Sequence, residues 1–394
     1  MMRKGKQCAA AGLAFLLALS AAAPGWAAET DSPEFSRTPE EWARLQDNTL
    51  EYDEIADLIH EYNVTVLNNR VSYRDYLGKD RDDVAQRYRD AAQELRDSIE
   101  YPDDPTDTSY ATMLMAAQLN ETQAKSLEEQ ADNNVDDAQS VYLQYEMVEA
   151  NLVLSTKLNL ISYEQKLLAN ALTQENKTLL ETQYQVVQAQ AGVGSATQLD
   201  VLNARQALEQ LESTVIADEK DTQTLKQQIC LAAGWSYDAD PEFGPLPQVS
   251  EEEITAIDLQ SDIARAIENN YSLKISQRQY ENSTSAATRE NLTNTIRESK
   301  QNISSDITGK YQSLLEALSA YQLAQTQLQV EAQTMAATQI RYQTGAASQL
   351  EYQQETYNMA SRNSAVETAA LTLLSAWETY QGAVNGLAAA SASA

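Results

Sequence analysis

The chain has 394 residues, with 58 Asp and Glu against 28 Lys and Arg, a formal net charge of −30, one histidine and two cysteines. So acidic a chain repels nucleic acid and anionic lipid headgroups, and a single histidine removes most histidine-based metal, triad and acid-base constellations. There is no phosphate-binding glycine loop, catalytic acid pair or cysteine-based metal spacing, so no catalytic, metal or cofactor-binding residue is expected, and the chain does not read as an enzyme.

Residues 1–27 read as a secretory signal: Arg3, Lys4 and Lys6, an apolar run from Cys8 to Ala23, then Gly25-Trp26-Ala27 as a small-x-small cleavage site. Cleavage leaves 25 basic residues, a net charge of −33, and Cys230 as the one cysteine, which excludes an intrachain disulfide. Cys230 reads as a small apolar helix residue, and His60 as a surface helix residue rather than a ligand. No later segment has the roughly 18 to 20 uninterrupted apolar residues of a spanning helix. The mature chain is thus expected outside the cytoplasm, meeting any membrane through partners.

Residues 28–50 are expected to form an N-terminal tail. Prolines lie at 24, 33, 39, 102, 105, 241, 245 and 247, so 106–240 and 248–394 contain none, which favours long helices. Apolar seams in heptad steps follow: Leu154, Leu158, Ile161, Leu168, Leu172, Leu179 and Val186; then Val201, Ala204, Leu208, Leu211, Val215, Leu225, Ile229 and Ala232; then Leu314, Leu318, Tyr321, Leu328, Ala332, Met335 and Tyr342. Polar interruptions at Gln165, Glu175, Asp218, Gln325 and Gln339 make a lone hairpin marginal and favour lateral packing. A helix from about Ala124 to Ala191 would be roughly 100 Å long, so a rod is expected.

The string Gly194-Ser195-Ala196-Thr197-Gln198-Leu199-Asp200 returns 151 residues later as Gly345-Ala346-Ala347-Ser348-Gln349-Leu350-Glu351. Each copy ends a helix at glycine and starts another through a capping-box pair, Thr197 with Asp200 and Ser348 with Glu351. The fold class is therefore all-α, an elongated antiparallel coiled-coil bundle of two tandem hairpin repeats, at 51–235 and 256–387, with no evident β-barrel. A Pro/Gly linker, 236–255, joins them, and 388–394 is expected to be a disordered tail. The repeat starts also match, Asn63 and Val66 against Asn270 and Leu273. From Asn63 to Gly194 is 131 residues but from Asn270 to Gly345 only 75, so the first copy holds about 56 extra, including the acidic turn Tyr101-Pro102-Asp103-Asp104-Pro105. The twenty tyrosines, such as Tyr142 and Tyr145, or Tyr352 and Tyr357, read as packing residues.

An Asn-containing helix start, a long helix, Val193-Gly194, the string Asp200-Val201-Leu202-Asn203-Ala204 and a helix ending at Ala233-Gly234 together resemble the outer-membrane efflux protein (TolC-like) family over about residues 50–387. The second copy is more degenerate, reading Glu351-Tyr352-Gln353-Gln354. The resemblance implies a homotrimeric helical tunnel of the cell envelope. Its hairpin tips would dock a periplasmic-adaptor-like (membrane fusion) protein serving an inner-membrane exporter.

By the same likeness Val193, Gly194, Ser195, Thr344, Gly345 and Ala346 become partner-contact candidates, and Asp200 and Glu351 a candidate gate, where a carboxylate ring would admit cations. Gln354 stands where a second acidic ring residue would fall. The bland readings stand beside these: the glycines serve tight turns and the carboxylates cap helices. The family inserts barrel strands of about 9 to 11 alternating residues in each repeat. Here 282–309 is Ser/Thr/Asn-rich and 111–117 reads as helix. The alternatives are a secreted coiled-coil structural or interaction protein of the envelope without transport activity, and a substrate-capturing protein, for which no pocket is evident.

Overall fold

The computed structural model describes residues 37–77, 81–101 and 110–391; residues 1–27, expected to be a signal, and most of the acidic 101–110 turn lie outside the described residues. The N-terminal stretch carries α1 (Pro39–Leu45) and β1 (Thr49–Leu50), followed by α2 (Ile55–Tyr62) and α3 (Val64–Leu77). Next come α4 (Arg81–Asp97), α5 (Tyr110–Asp132), and the first long hairpin, α6 (Ala138–Gly192) and α7 (Gln198–Ala232). The connector holds β2 (Glu242–Phe243) and α8 (Glu251–Thr255). Then α9 (Leu259–Asn269) and α10 (Tyr271–Asn282) lead into the second long hairpin, α11 (Ala286–Gln343) and α12 (Gln349–Gly382). With 55 and 58 residues, α6 and α11 run about 80 to 90 Å.

The long helices lie in one layer, in the order α7, α6, α12, α11. Lys166 of α6 meets Asp218 and Asp221 of α7, and Arg362 of α12 reaches Glu331 and Gln327 of α11. Across the repeat junction Lys157 bonds Glu378 at 3.0 Å and Gln165 bonds Thr372 at 3.2 Å. A single layer covers each helix only from the sides, so the hairpin seams are mostly half-buried. Two compact cores anchor its middle. One gathers Leu58, Ile59, Leu160, Ile229 and Trp235 around α2; the other gathers Ile254, Leu273, Ile303, Leu314 and Tyr380 around α9 and α10.

Asn63 and Asn270, matched in the sequence, play one role twice. Asn63 caps α3 by accepting from the amides of Thr65 and Val66, while its amide nitrogen donates to Ala232 O at the end of α7. Asn270 caps α10 by accepting from Leu273 N at 2.9 Å and donates to Gly386 O and Ala388 O beyond α12. Each repeat is thereby closed on itself at the base.

Several local features depart from the sequence reading. The helix expected from about 124 to 191 is broken at 133–137, because Asp137 accepts from Ser140 N and starts α6 with its own capping box. The third seam drifts after Leu328: Glu331 and Thr338 turn inward, while Ala332 and Tyr342 are exposed. His60, expected on the surface, is buried between α2 and α6, its Nδ1 paired with Glu149 at 2.7 Å. Cys230 is fully buried, and burial pushes its thiol up.

Residues 39–50 fold onto the first core, where β1 pairs in parallel with β2, Thr49 opposite Glu242 and Leu50 opposite Phe243. At the other end Ala388 is buried and Ala389 N donates to Asp306, so the chain is pinned to about Ala390. Residues 286–309 are helical, part of α11.

The 56 extra residues of the first repeat supply α4 and α5, a hairpin packed along an alanine seam. Ala85 and Ala92 face Ala117, Ala124 and Ala131, and Arg96 bridges Glu121 and Glu128 across it. Its base is fastened to the α10–α11 turn: Arg81 donates to Asn282 O, Asn282 to Val135 O, and Arg278 to Asp137 at 2.6 Å. Beyond that base α4 and α5 pack chiefly on each other, at the end of the layer away from the α6–α7 and α11–α12 turns.

Gly234 closes α7 at φ +82°, and a Cβ there would lie 2.4 Å from Tyr62 Cβ and 2.5 Å from its carbonyl oxygen. Gly309 sits inside α11 with open space around it. In urea unfolding of residues 28–394 followed by circular dichroism, Gly234→Ala should cost about 2–4 kcal/mol. Gly309→Ala should stabilise by roughly 0.5–1 kcal/mol through helix propensity.

Candidate functional site

The two turns expected from the repeated string are built alike. At the first, Gly194 takes φ +79°, its N–H donates to Ala191 O, and Ser195 N donates back to Gln190 O at 2.8 Å. At the second, Gly345 takes φ +72°, its N–H donates to Tyr342 O, and Ala346 N donates to Arg341 O at 2.7 Å. In both, the left-handed glycine lets the chain reverse while satisfying the last helical carbonyls. No atom lies within 4 Å of a Cβ built on either glycine, so the turns face open space.

Each next helix restarts through a reciprocal box. Thr197 N donates to Asp200 at 2.8 Å while Asp200 N donates to Thr197 Oγ1; Ser348 N donates to Glu351 at 2.7 Å while Glu351 N donates to Ser348 Oγ. Thr197 and Ser348 are thus the caps, as expected. The bond from the Thr197 amide, ahead of that from its hydroxyl, holds the Asp200 carboxyl below the usual range. The Ser348 amide does the same for Glu351, helped by Arg341.

Val193, Gly194, Ser195, Thr344, Gly345 and Ala346 are all exposed, Val193 most conspicuously at 78 %. The pairs Leu154–Gly382, Lys157–Glu378 and Gln165–Thr372 descend α6 as they ascend α12, and the same step carries Gly192 level with Gly345. Both turns therefore lie at one end of the layer. No described hydrogen bond joins them.

As gate candidates, Asp200 and Glu351 are exposed but committed. Each spends a carboxylate oxygen on its cap, and Glu351 also stands 3.6 Å from Arg341, which offsets its charge. Gln354 bonds Asn358, and Tyr342 stacks on Tyr352 at 4.6 Å.

The sequence reading missed a second acidic feature nearby. Glu355, in the second turn of α12, is pushed up by burial and by the neighbouring carboxylate of Glu331 on α11. That Glu331 interrupts an apolar seam was its one available signal.

Among the described residues no helix is long and apolar enough to cross a membrane, and no group of three His, Cys, Asp or Glu is placed to hold a metal ion. No protein-family model and no curated relative matches the chain. Solved structures do. The outer membrane protein VceC of Vibrio cholerae aligns at TM-score 0.50 and 9 % identity, over 85 % of this chain and 96 % of VceC.

The fold is TolC-like. Two further TolC-like neighbours are the Campylobacter jejuni CmeC outer membrane channel, at 0.46 and 10 % identity over 91 % of this chain and 90 % of that one, and the Neisseria gonorrhoeae MtrE outer membrane channel, at 0.45 and 10 % over 85 % and 89 %. In this version of the fold a helical hairpin lies between α3 and α6, and a direct turn joins α10 to α11.

The capping carboxylates give the turns a defined pH response. Their folded-state values are depressed, so their contribution is complete above the unfolded carboxylate value and is lost as pH falls through the folded one. Amide exchange, corrected for its intrinsic pH dependence, should show protection of Thr197 N and Ser348 N disappearing below the ordinary carboxylate range. Asp200→Ala and Glu351→Ala should remove that protection already at neutral pH.

Proposed function

We propose that the chain is a non-enzymatic component of an envelope export or efflux system. Copies associate edge to edge into a closed helical wall, and the Gly194 and Gly345 turns dock the coiled-coil hairpin of a periplasmic-adaptor-like (membrane fusion) protein serving an inner-membrane exporter. One observation carries this reading: the layer α7, α6, α12, α11 is open at both edges, and both edge helices expose large apolar side chains. Leu202 and Ile216 lie on α7, and Leu323 and Val330 on α11.

Exposed apolar residues along two long helices favour association. Because the two edges differ, contact of one with the other is head-to-tail and closes a ring when the rotation allows, a homotrimer being the arrangement the resemblance implies. The net charge of −30 gives the wall of such a conduit an acidic character that favours cations over anions. The turns suit docking because they are exposed, rigidly capped and level with each other.

A second reading, a structural or interaction protein of the cell envelope without transport, is favoured by one feature. Among the described residues the one sheet is the two-residue pair of β1 and β2, and α4 and α5 stand where the family places strands.

Mass measurement of the mature chain separates the parts of this proposal. It should give an oligomer that Leu323→Glu with Val330→Glu reduces to monomer, and a wild-type monomer at every concentration would defeat the closed wall. Photo-crosslinkers at Val193, Ser195, Thr344 and Ala346 should capture the hairpin of an adaptor made by the same cell. Capture failing with every such adaptor sinks the docking claim, and a deletion strain with unchanged export but altered envelope integrity favours the second reading.

A further inference from the structure

A cleft of about 1110 Å³ opens along α6, walled by α3 on one side and by Tyr271 and the end of α12 on the other. It is large enough for a drug-sized molecule. Its apolar surface joins aliphatic side chains such as Val66, Leu67 and Val153 to a cluster of tyrosines. Tyr73 of α3 lies 5.4 Å from Tyr142 and 6.4 Å from Tyr145 of α6, the latter edge to face, and Tyr271 of α10 closes the far side.

The charges around the cleft are unevenly satisfied. Lys157 is bound to Glu378 at 3.0 Å, Arg70 donates to His60 O at 2.6 Å, and Glu149 is held by His60 at 2.7 Å. Arg74 stands exposed on the α3 rim. Glu146, half-buried on the floor between the tyrosines, has no hydrogen bond or ion pair among the described residues. Glu146 and Glu149 both raise the Tyr271 hydroxyl after burial, which places two carboxylates toward that ring.

We propose that this cleft binds a hydrophobic organic cation, its positive nitrogen at Glu146 and its apolar body on the Tyr73, Tyr142 and Tyr145 rings. Tyrosine faces attract cations through the ring quadrupole, and an unpaired carboxylate in a partly desolvated wall supplies the complementary charge. The lining balances Arg70, Arg74 and Lys157 against Glu146, Glu149 and Glu378, and the preference for a cation rests on placement, Glu146 half-buried beside the rings and Arg74 out on the exposed rim. All the lining residues come from one chain, so binding can be measured whether or not chains associate.

Ethidium, an aromatic cation, tests the assignment on the mature chain by fluorescence and calorimetry. The expected result is one saturable site per chain, weakened about tenfold by Glu146→Gln and comparably by Tyr145→Ala. The anionic aromatic anilinonaphthalene sulfonate should not displace it. Glu209→Gln, an exposed acid on α7, should bind ethidium as the unaltered chain does. The proposal is overturned if Glu146→Gln binds normally, if the anion competes at equal concentration, or if Glu209→Gln weakens binding equally, which would mean a diffuse acidic field. None of these readouts involves oligomerisation or export, so the cleft and the conduit can fail separately.

Discussion

Asn63 and Asn270 each solve a problem that an all-helical layer cannot avoid. Where a short helix begins at a buried junction, its first amides and the last carbonyls of the returning helix both lack intrahelical partners. A buried side-chain amide offers an acceptor and two donors at one point, so a single residue serves both ends. Asn63 joins the start of α3 to the end of α7, and Asn270 joins the start of α10 to the turn after α12. Removal of either would leave buried backbone groups unmatched on two helices at once, a heavier loss than one hydrogen bond. Around these two points the α2 and α9–α10 cores assemble, and the long hairpins extend from them.

The hairpins are a different kind of structure from the cores. Away from the base the layer has no second layer behind it, so seam residues such as Leu168, Leu172 and Leu211 are only half-buried. Cohesion there comes from lateral contacts supplemented by polar bridges, Lys166 to Asp218, Lys177 to Glu212 and Asn170 to Thr222. Surface bridges of this kind contribute about 0–1 kcal/mol each. A layer with two uncovered faces and two apolar edges is therefore held at its base and loosely stabilised at its far end.

What the sequence made legible was what depends on neighbours along the chain. The turns at Gly194 and Gly345 follow from a glycine, a capping box and helix-forming flanks, all within about eight residues, and the structure realises both with the same hydrogen bonds. The paired asparagines were visible as a repeat, although their second partners, 169 and 116 residues away, were not. His60 was misplaced for the same reason: its burial depends on Glu149, 89 residues distant. The break at 133–137 was legible and passed over, since residues 132–137 read Asp-Asn-Asn-Val-Asp-Asp and Asp137 and Ser140 have capping spacing. The drift of the α11 seam could not be read from apolar residues, because Glu331 and Thr338 carry it. The aromatic cleft joins Tyr73 and Tyr271, on helices that periodicity alone cannot bring to opposite sides of α6.

The bonds that join α6 to α12 also bear on how the molecule forms. Within each hairpin the partners are close in sequence, Asn170 to Thr222 spanning 52 residues and Arg362 to Gln327 spanning 35. The junction between the hairpins is of another order, with Gln165 and Thr372 separated by 207 residues and Lys157 and Glu378 by 221. Closing such loops costs chain entropy before any contact repays it, whereas a local hairpin can zip from its turn. On these separations the two hairpins should form first. The union of the two halves of the polypeptide is the late event, and until it happens the inner flanks of α6 and α12 stand as unclaimed as the outer edges of the finished layer.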